Sequence, residues 1–167
     1  MYDTILHPTD GSEGSEAALE HVQELATTYG ATVHVLHVVD SAIHAGLGIA
    51  GDLQSEDSPG MVGHPEGGTT GMVGERTQAG QVQEQLEQRG RTIVDGVAER
   101  LDAETVTAVE GGEPHQVIVD YTERVDIDLV VMGTHGRSGL DRYLLGSIAE
   151  KIVRLSDAPV VTVRSGE

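Results

Sequence analysis

The stretch LVVMGTHGRSGLDRYLLGSIAEKIVRL, residues 129–155, decides the fold. It opens on four consecutive apolar residues, becomes glycine-rich from Gly133 to Gly146, and closes on apolar residues at helical spacing. A short unbroken apolar run suits a strand covered on both faces, and a strand followed by a glycine loop and a helix makes a βα unit. Within it, Gly133-x2-Gly136-x9-Gly146-Ser147 brings two ends together as one anion site. Gly133 and Gly136 let the backbone turn with positive φ and let its N–H groups approach phosphate oxygens with no Cβ between them. A helix opening at Ser147 offers unpaired N–H groups and the positive end of its dipole to a second phosphate position, and Arg137 adds a charge-assisted contact. The same residues also have a purely structural reading, in which the glycines make turns and Ser147 with Glu150 forms an S-x-x-E capping box.

Outward from this stretch, short apolar runs alternate with segments of helical period, the pattern of a parallel sheet built from βα units. A strand over residues 4–7 leads through a turn at 8–12 into a helix over 13–29, with Ala18, Val22, Leu25, Ala26 and Tyr29 as its apolar stripe and Gly30 as its stop. A strand follows over 32–39. Residues 41–75 show no period and are dense in Gly, Ser, Asp and Pro, so a long glycine-rich loop insertion is expected there. A second helix is expected over 76–101, weakened at Gly90 by about 1 kcal/mol relative to Ala. After a strand over 105–109, Gly111 and Gly112 turn the chain into a helix with Pro114 at its first position and Val117, Ile118, Tyr121 and Val125 on its buried face. The final helix spans 147–155 with Ile148, Ile152 and Val153 inward, and Pro159 opens a last strand over 160–163. The fold class is α/β: a five-stranded doubly wound parallel sheet, order 3-2-1-4-5, with four helices in one domain over 1–167. Its ligand site is expected outside the carboxyl ends of the strands.

Composition excludes several functions. The 28 acidic residues against 10 basic ones give a formal charge of -18, and Lys151 is the sole lysine. Such a surface repels nucleic acid, which needs clustered Lys and Arg, so no nucleic-acid partner is expected. It reads instead as an adaptation to high salt, where screening at about 1 M shrinks to roughly 3 Å and acidic self-repulsion fades. Without cysteine there are no disulfides, thiolate metal sites or thiol nucleophiles. No apolar run approaches the roughly 18 residues of a membrane span and no export signal is visible, so no membrane partner and a cytoplasmic location are expected.

The glycine-serine spacing and the surrounding text GTHGRSGLDRYLLGSIAEKIVRLSDAPVVTVR resemble the ATP-binding signature and carboxyl-terminal third of the universal stress protein (UspA) family. ILHPTDGSE near the amino end and VHVLHVVD in the second strand are similar to the family's opening elements, so the resemblance covers almost everything outside the 41–75 insertion. It implies a fold like that of the adenine nucleotide alpha hydrolases and ATP, with or without Mg²⁺, as cofactor. In ATP-binding members an aspartate of the first turn holds the ribose or base edge, which falls here on Asp10, flanked by Pro8 and Thr9. The position of Val38 contacts adenine, and those of Met132 and Ile148 flank the nucleotide. A carboxylate acceptor at a strand end suits ribose hydroxyls, although Asp10 is also a good turn or cap acid.

These readings together predict an adenine-nucleotide-binding stress or signalling module, with no catalytic residue assigned. Two alternatives are a slow Mg²⁺-dependent ATPase or phosphotransferase using Asp10, and an interaction dimer that binds no nucleotide. An unidentified protein partner and a homodimer paired through Val160 to Val163 at the sheet edge complete the expectation. Other motifs carry less. Gly46, Gly48 and Gly51 spell G-x-G-x-x-G but do not sit in a strand-to-helix turn. His34 and His37 stand at odd spacing on one strand and point to opposite faces, His7 is within reach of one of them across the sheet, and a satisfied histidine is favoured over a metal ligand at all three. His115 and His135 approach the expected site without an identifiable carboxylate partner.

Overall fold

The computed structural model describes residues 1–40, 71–135 and 145–165, with side chains from residue 80 onward in the middle segment. Five strands, β1 (Thr4–Pro8), β2 (Thr32–Asp40), β3 (Thr105–Gly112), β4 (Leu129–Gly133) and β5 (Val160–Val163), form one parallel sheet in the order β3-β2-β1-β4-β5. The four helices among the described residues are α1 (Glu13–Tyr29), α2 (Gly71–Ala98), α3 (Pro114–Val125) and α4 (Ser147–Leu155). The chain order reverses between β1 and β4, so the strand ends open a crevice there.

Strand side chains alternate between two helical layers. Ile5, Val33, Val35 and Val131 face Ala18, Leu19, Val22 and Ala26 of α1 and Val94 and Val97 of α2. Leu6, Leu36, Val130 and Met132 face Ile118 and Tyr121 of α3 and Ala149 and Ile152 of α4. Each fully buried aliphatic side chain contributes roughly 1.5–3 kcal/mol, which is how a core without Phe or Trp holds the layers. Helix α1 starts from the Ser12 side chain, which accepts the N–H of Ser15, and stops at Gly30 in the left-handed conformation.

Several expectations need correction. Helix α2 begins at Gly71, so the aperiodic segment ends at residue 70 at the latest, and residues 41–70 with the Gly46, Gly48 and Gly51 pattern lie outside the described residues. Once a helix is nucleated, each added residue gains a bond at small cost, so the ladder runs past weak formers such as Gly74. At its other end, close contacts from the N–H of Arg100 and Leu101 to the carbonyls of Val97 and Ala98 tighten the last turn. Gly111 and Gly112 continue β3 as partners of Val39 and Asp40, and the chain turns only beyond them. Gly90 is buried where α2 crosses the sheet; a Cβ there would lie 2.7 Å from His37 Cδ2 and 2.9 Å from Val109 Cγ1. Its low helix propensity is therefore offset by the close approach of α2 to β2 and β3. Tyr29 is exposed, as are Ile148 and Val153, and α4 instead buries Ala149 and Ile152. Among the described residues no helix is long and apolar enough to cross a membrane.

Candidate functional site

The crevice at the carboxyl ends of β1, β2 and β4 is a cavity of about 380 Å³. That volume lies within the usual range for small-molecule sites. Pro8, Thr9 and Asp10 leave β1 along one side, while Val38 of β2 and Met132 and Gly133 of β4 border its centre. Gly146, Ser147 and Ile148 bring the start of α4 to the other side. These nine lining residues are all drawn from the positions singled out in the sequence; Gly136 and Arg137 lie outside the described residues.

Local chemistry explains how each is held. Thr9 is pinned by its N–H to the Leu36 carbonyl at 2.9 Å and by its hydroxyl to Ser15 Oγ at 3.2 Å. Asp10 accepts the N–H of Ser12 at 3.0 Å, an Asx-type turn that fixes the carboxylate at the head of α1. Gly133 does not turn the chain. It is the last residue of β4, and the described glycines with positive φ are Gly11, Gly30 and Gly112. Its lack of a side chain answers to packing, since a Cβ would lie 2.4 Å from the Gly14 carbonyl atoms; at Gly14 a Cβ would lie 2.1 Å from the His135 oxygen. The amino end of α1 thus rests on the end of β4.

The capping-box reading of Ser147 is also corrected. Gly146 is the N-cap, no side chain among the described residues caps α4, and Ser147 is the first helical residue and is exposed. The N–H of Gly146 itself is held by the carbonyl of Thr134 at 2.8 Å. The exposed start of α4 presents to the cavity a hydroxyl and first-turn N–H groups that have no partner within the helix.

Beyond the predicted positions, β2 contributes more residues to the cavity and two further elements, α2 and α3, also line it. Strand β2 adds His37 and Asp40, α2 adds Leu86 and Arg89, and α3 adds Pro114 and Ile118. Asp40 and His37 were open to discovery as polar residues at a strand's carboxyl end; nothing local marks Leu86 or Arg89, because the 41–70 segment hides the place where α2 returns to the sheet. His115 does not line the cavity; its Nδ1 pairs with Glu113 at 3.0 Å, and Glu113 in turn reaches Lys151 of α4 at 3.6 Å. His135 does line it, with Nδ1 2.9 Å from the Thr134 hydroxyl and a buried Nε2 that has no partner among the described residues.

The three strand histidines, His7, His34 and His37, are built into the fold. His37 donates from Nδ1 to the Thr9 carbonyl at 2.8 Å, and His7, fully buried one layer below the cavity, donates from Nδ1 to the Val131 carbonyl at 2.9 Å. Burial pushes the His7 pKa down, against the opposing pull of the Val131 bond and the Glu16 and Asp10 carboxylates. His34, on the opposite face, lies 3.0 Å from the Tyr121 hydroxyl, and burial lowers its pKa too. No group of three metal-ligating side chains occurs among the described residues.

With the fold and cavity in view, comparison with known proteins settles the ancestry. The sequence model of the Universal stress protein family matches residues 1–164. This chain belongs to that family. Universal stress protein MJ0531 of Methanocaldococcus jannaschii is 32% identical over 98% of the chain and 83% of its own length. The solved structure of hypothetical protein MJ0577 superposes with a TM-score of 0.77 at 25% identity, covering 100% of this chain and 99% of that one. Two more distant structures share the fold with nucleotides bound. A universal stress protein in complex with cAMP has a TM-score of 0.56 at 18% identity, covering 99% and 98% of the two chains. A family protein from Arabidopsis thaliana with AMP bound has a TM-score of 0.52 at 16% identity, covering 98% and 91%.

Proposed function

We propose that this universal stress protein binds ATP or a close adenine nucleotide in the crevice and acts in the cytoplasm as a nucleotide-dependent stress-response or signalling module. The observation that carries the reading is the convergence of Asp10, Val38, Met132, Gly146, Ser147 and Ile148 on one cavity from four separate elements and turns. Its chemistry fits such a ligand. Val38, Met132 and Ile148 offer apolar surface to a base, Asp10 offers an acceptor to ribose hydroxyls, and the exposed start of α4 offers N–H donors to phosphate. The buried Nε2 of His135, which has no partner among the described residues, is a further polar atom at the cavity. The cAMP and AMP complexes of distant relatives support the adenine class.

Denaturing freshly purified protein and identifying the released nucleotide tests this directly, with calorimetry on the parent and on Ile148→Trp in high salt as the second arm. Ile148 is 40% exposed, so the indole is accommodated without disturbing the core while filling the cavity mouth. Affinity should fall at least roughly tenfold, the loss of a hydrogen bond to a charged group or an equivalent apolar contact. Equal affinity of the two proteins would place the ligand elsewhere.

The module works as a homodimer through β5. That strand is a sheet edge, Val161 is 37% exposed, and Val153 and Leu155 of the adjoining α4 are exposed as well. A twofold pairing of two such edges satisfies both. Sedimentation of Val161→Pro checks it, since removing a donor from the edge should shift the profile toward monomer. High salt is the working condition of so acidic a chain, and thermal melts that fail to rise from low to molar KCl would exclude that.

A further inference from the structure

We propose that Arg89 of α2 binds the phosphate chain of the nucleotide and makes the cavity prefer a triphosphate over a monophosphate. The inference rests on the adenine-nucleotide reading and adds a residue that the glycine-serine motif does not contain. Arg89 is the one Lys or Arg among the described residues that line the cavity, where Asp10 and Asp40 supply negative charge. A ligand carrying several negative charges needs a compensating cation there.

Two observations single out this arginine. In a chain with 28 acidic residues, Arg100 pairs with Glu16, Arg124 with Glu110 and Arg154 with Glu150. Arg89, like Arg91 and Arg164, makes no ion pair or side-chain hydrogen bond among the described residues although its side chain is exposed in an acidic surrounding, and of the three Arg89 alone lines the cavity. Its position is nevertheless fixed, because the next residue is the buried Gly90, whose contact with His37 and Val109 sets the height and rotation of α2 over β2 and β3. Leu86, one turn earlier on the same helix, also lines the cavity, so this flank of α2 is directed at the ligand space. A guanidinium offers its fork of donors to two phosphate oxygens together, which an ammonium cannot match.

Calorimetry with ATP and AMP on the parent, Arg89→Gln and Arg89→Lys in molar KCl tests the assignment, with thermal stabilisation by inorganic tripolyphosphate as an independent readout. Arg89→Gln should weaken ATP by roughly 10-fold or more and AMP by less than about 3-fold, the difference expected of a hydrogen bond to a charged group. Arg89→Lys should recover part of the ATP affinity, and tripolyphosphate should stabilise the parent but not Arg89→Gln. An unchanged ATP-to-AMP ratio in Arg89→Gln, whether both affinities hold or fall together, overturns the proposal. If the parent binds tripolyphosphate through Arg89 but neither nucleotide, the phosphate assignment stands and the adenine reading fails; if the parent binds none of the three, both fail.

Discussion

The two ends of one sheet treat their acids differently. At the amino end, Asp128 accepts the N–H of Asp3 at 2.8 Å and of Thr4 at 3.0 Å, tying the start of β1 to the approach of β4. Those backbone donors, Asp3 first and Thr4 next, hold its carboxyl below the usual carboxylate range. At the carboxyl end, Asp10 accepts the N–H of Ser12 within its own turn and lines a cavity. One acid joins segments 124 residues apart and the other faces ligand space. Parallel βα topology produces this division, because crossover helices bring their open amino ends to the carboxyl edge and leave the other edge to be sealed.

Substitutions at the two ends should separate stability from binding. The largest loss is expected from Gly133→Ala, whose new methyl would meet the Gly14 backbone and push α1 off β4. Overpacking against main chain that cannot rotate away should cost about 3 kcal/mol in guanidinium denaturation at high salt. A loss below about 1 kcal/mol would mean that α1 yields easily and that this end is softer than its packing implies.

A smaller change, roughly 1.5 kcal/mol, is expected from Asp128→Ala, with nucleotide affinity unaltered. Its pH dependence has a definite sign. A depressed folded-state pKa gives stability that is present above the unfolded value and lost as pH falls through the folded one. Parent and variant should therefore converge in acid, below the usual carboxylate range, and differ fully at neutral pH. A difference that persists in strong acid would trace the effect to packing.

The smallest stability effect belongs to Asp10→Asn, within about 0.5 kcal/mol, since the amide still accepts the Ser12 N–H. Its nucleotide affinity should drop roughly tenfold, as for a lost charged hydrogen bond. Should its stability instead fall as far as that of Asp128→Ala, the contrast between the ends would disappear.

Much of this was legible before any coordinates. Helices α1 and α4 have the bounds read for them, α1 between its Ser12 cap and its Gly30 stop, and the buried strands read as apolar runs because both faces are covered. Distance in space was not legible. Gly133 looked like a turn residue, since sequence cannot show that α1 presses on it. Ser147 looked like a cap, since S-x-x-E does not say which residue leaves the helix. Leu86 and Arg89 were invisible as lining residues because no local pattern records how far α2 leans over the sheet.

Strand β2 outruns its neighbour, and that overhang carries a consequence for drift. Pro8 pairs with Leu36, whereas Val38 to Asp40 pair only with Glu110 to Gly112. The N–H of Thr32 reaches back to Asp3 beside β1 and that of Val33 to Glu104 beside β3, so even-numbered residues of β2 aim their main chain at the β1 lane. Beyond the end of β1, the amide and carbonyl of Val38 therefore look into the space that β1 no longer fills. Part of the cavity's polar pattern is thus written in backbone, where a codon change other than one to proline leaves it in place. Over generations the side chain at 38 can vary in bulk and retune shape, while the polar imprint beneath it is inherited unchanged.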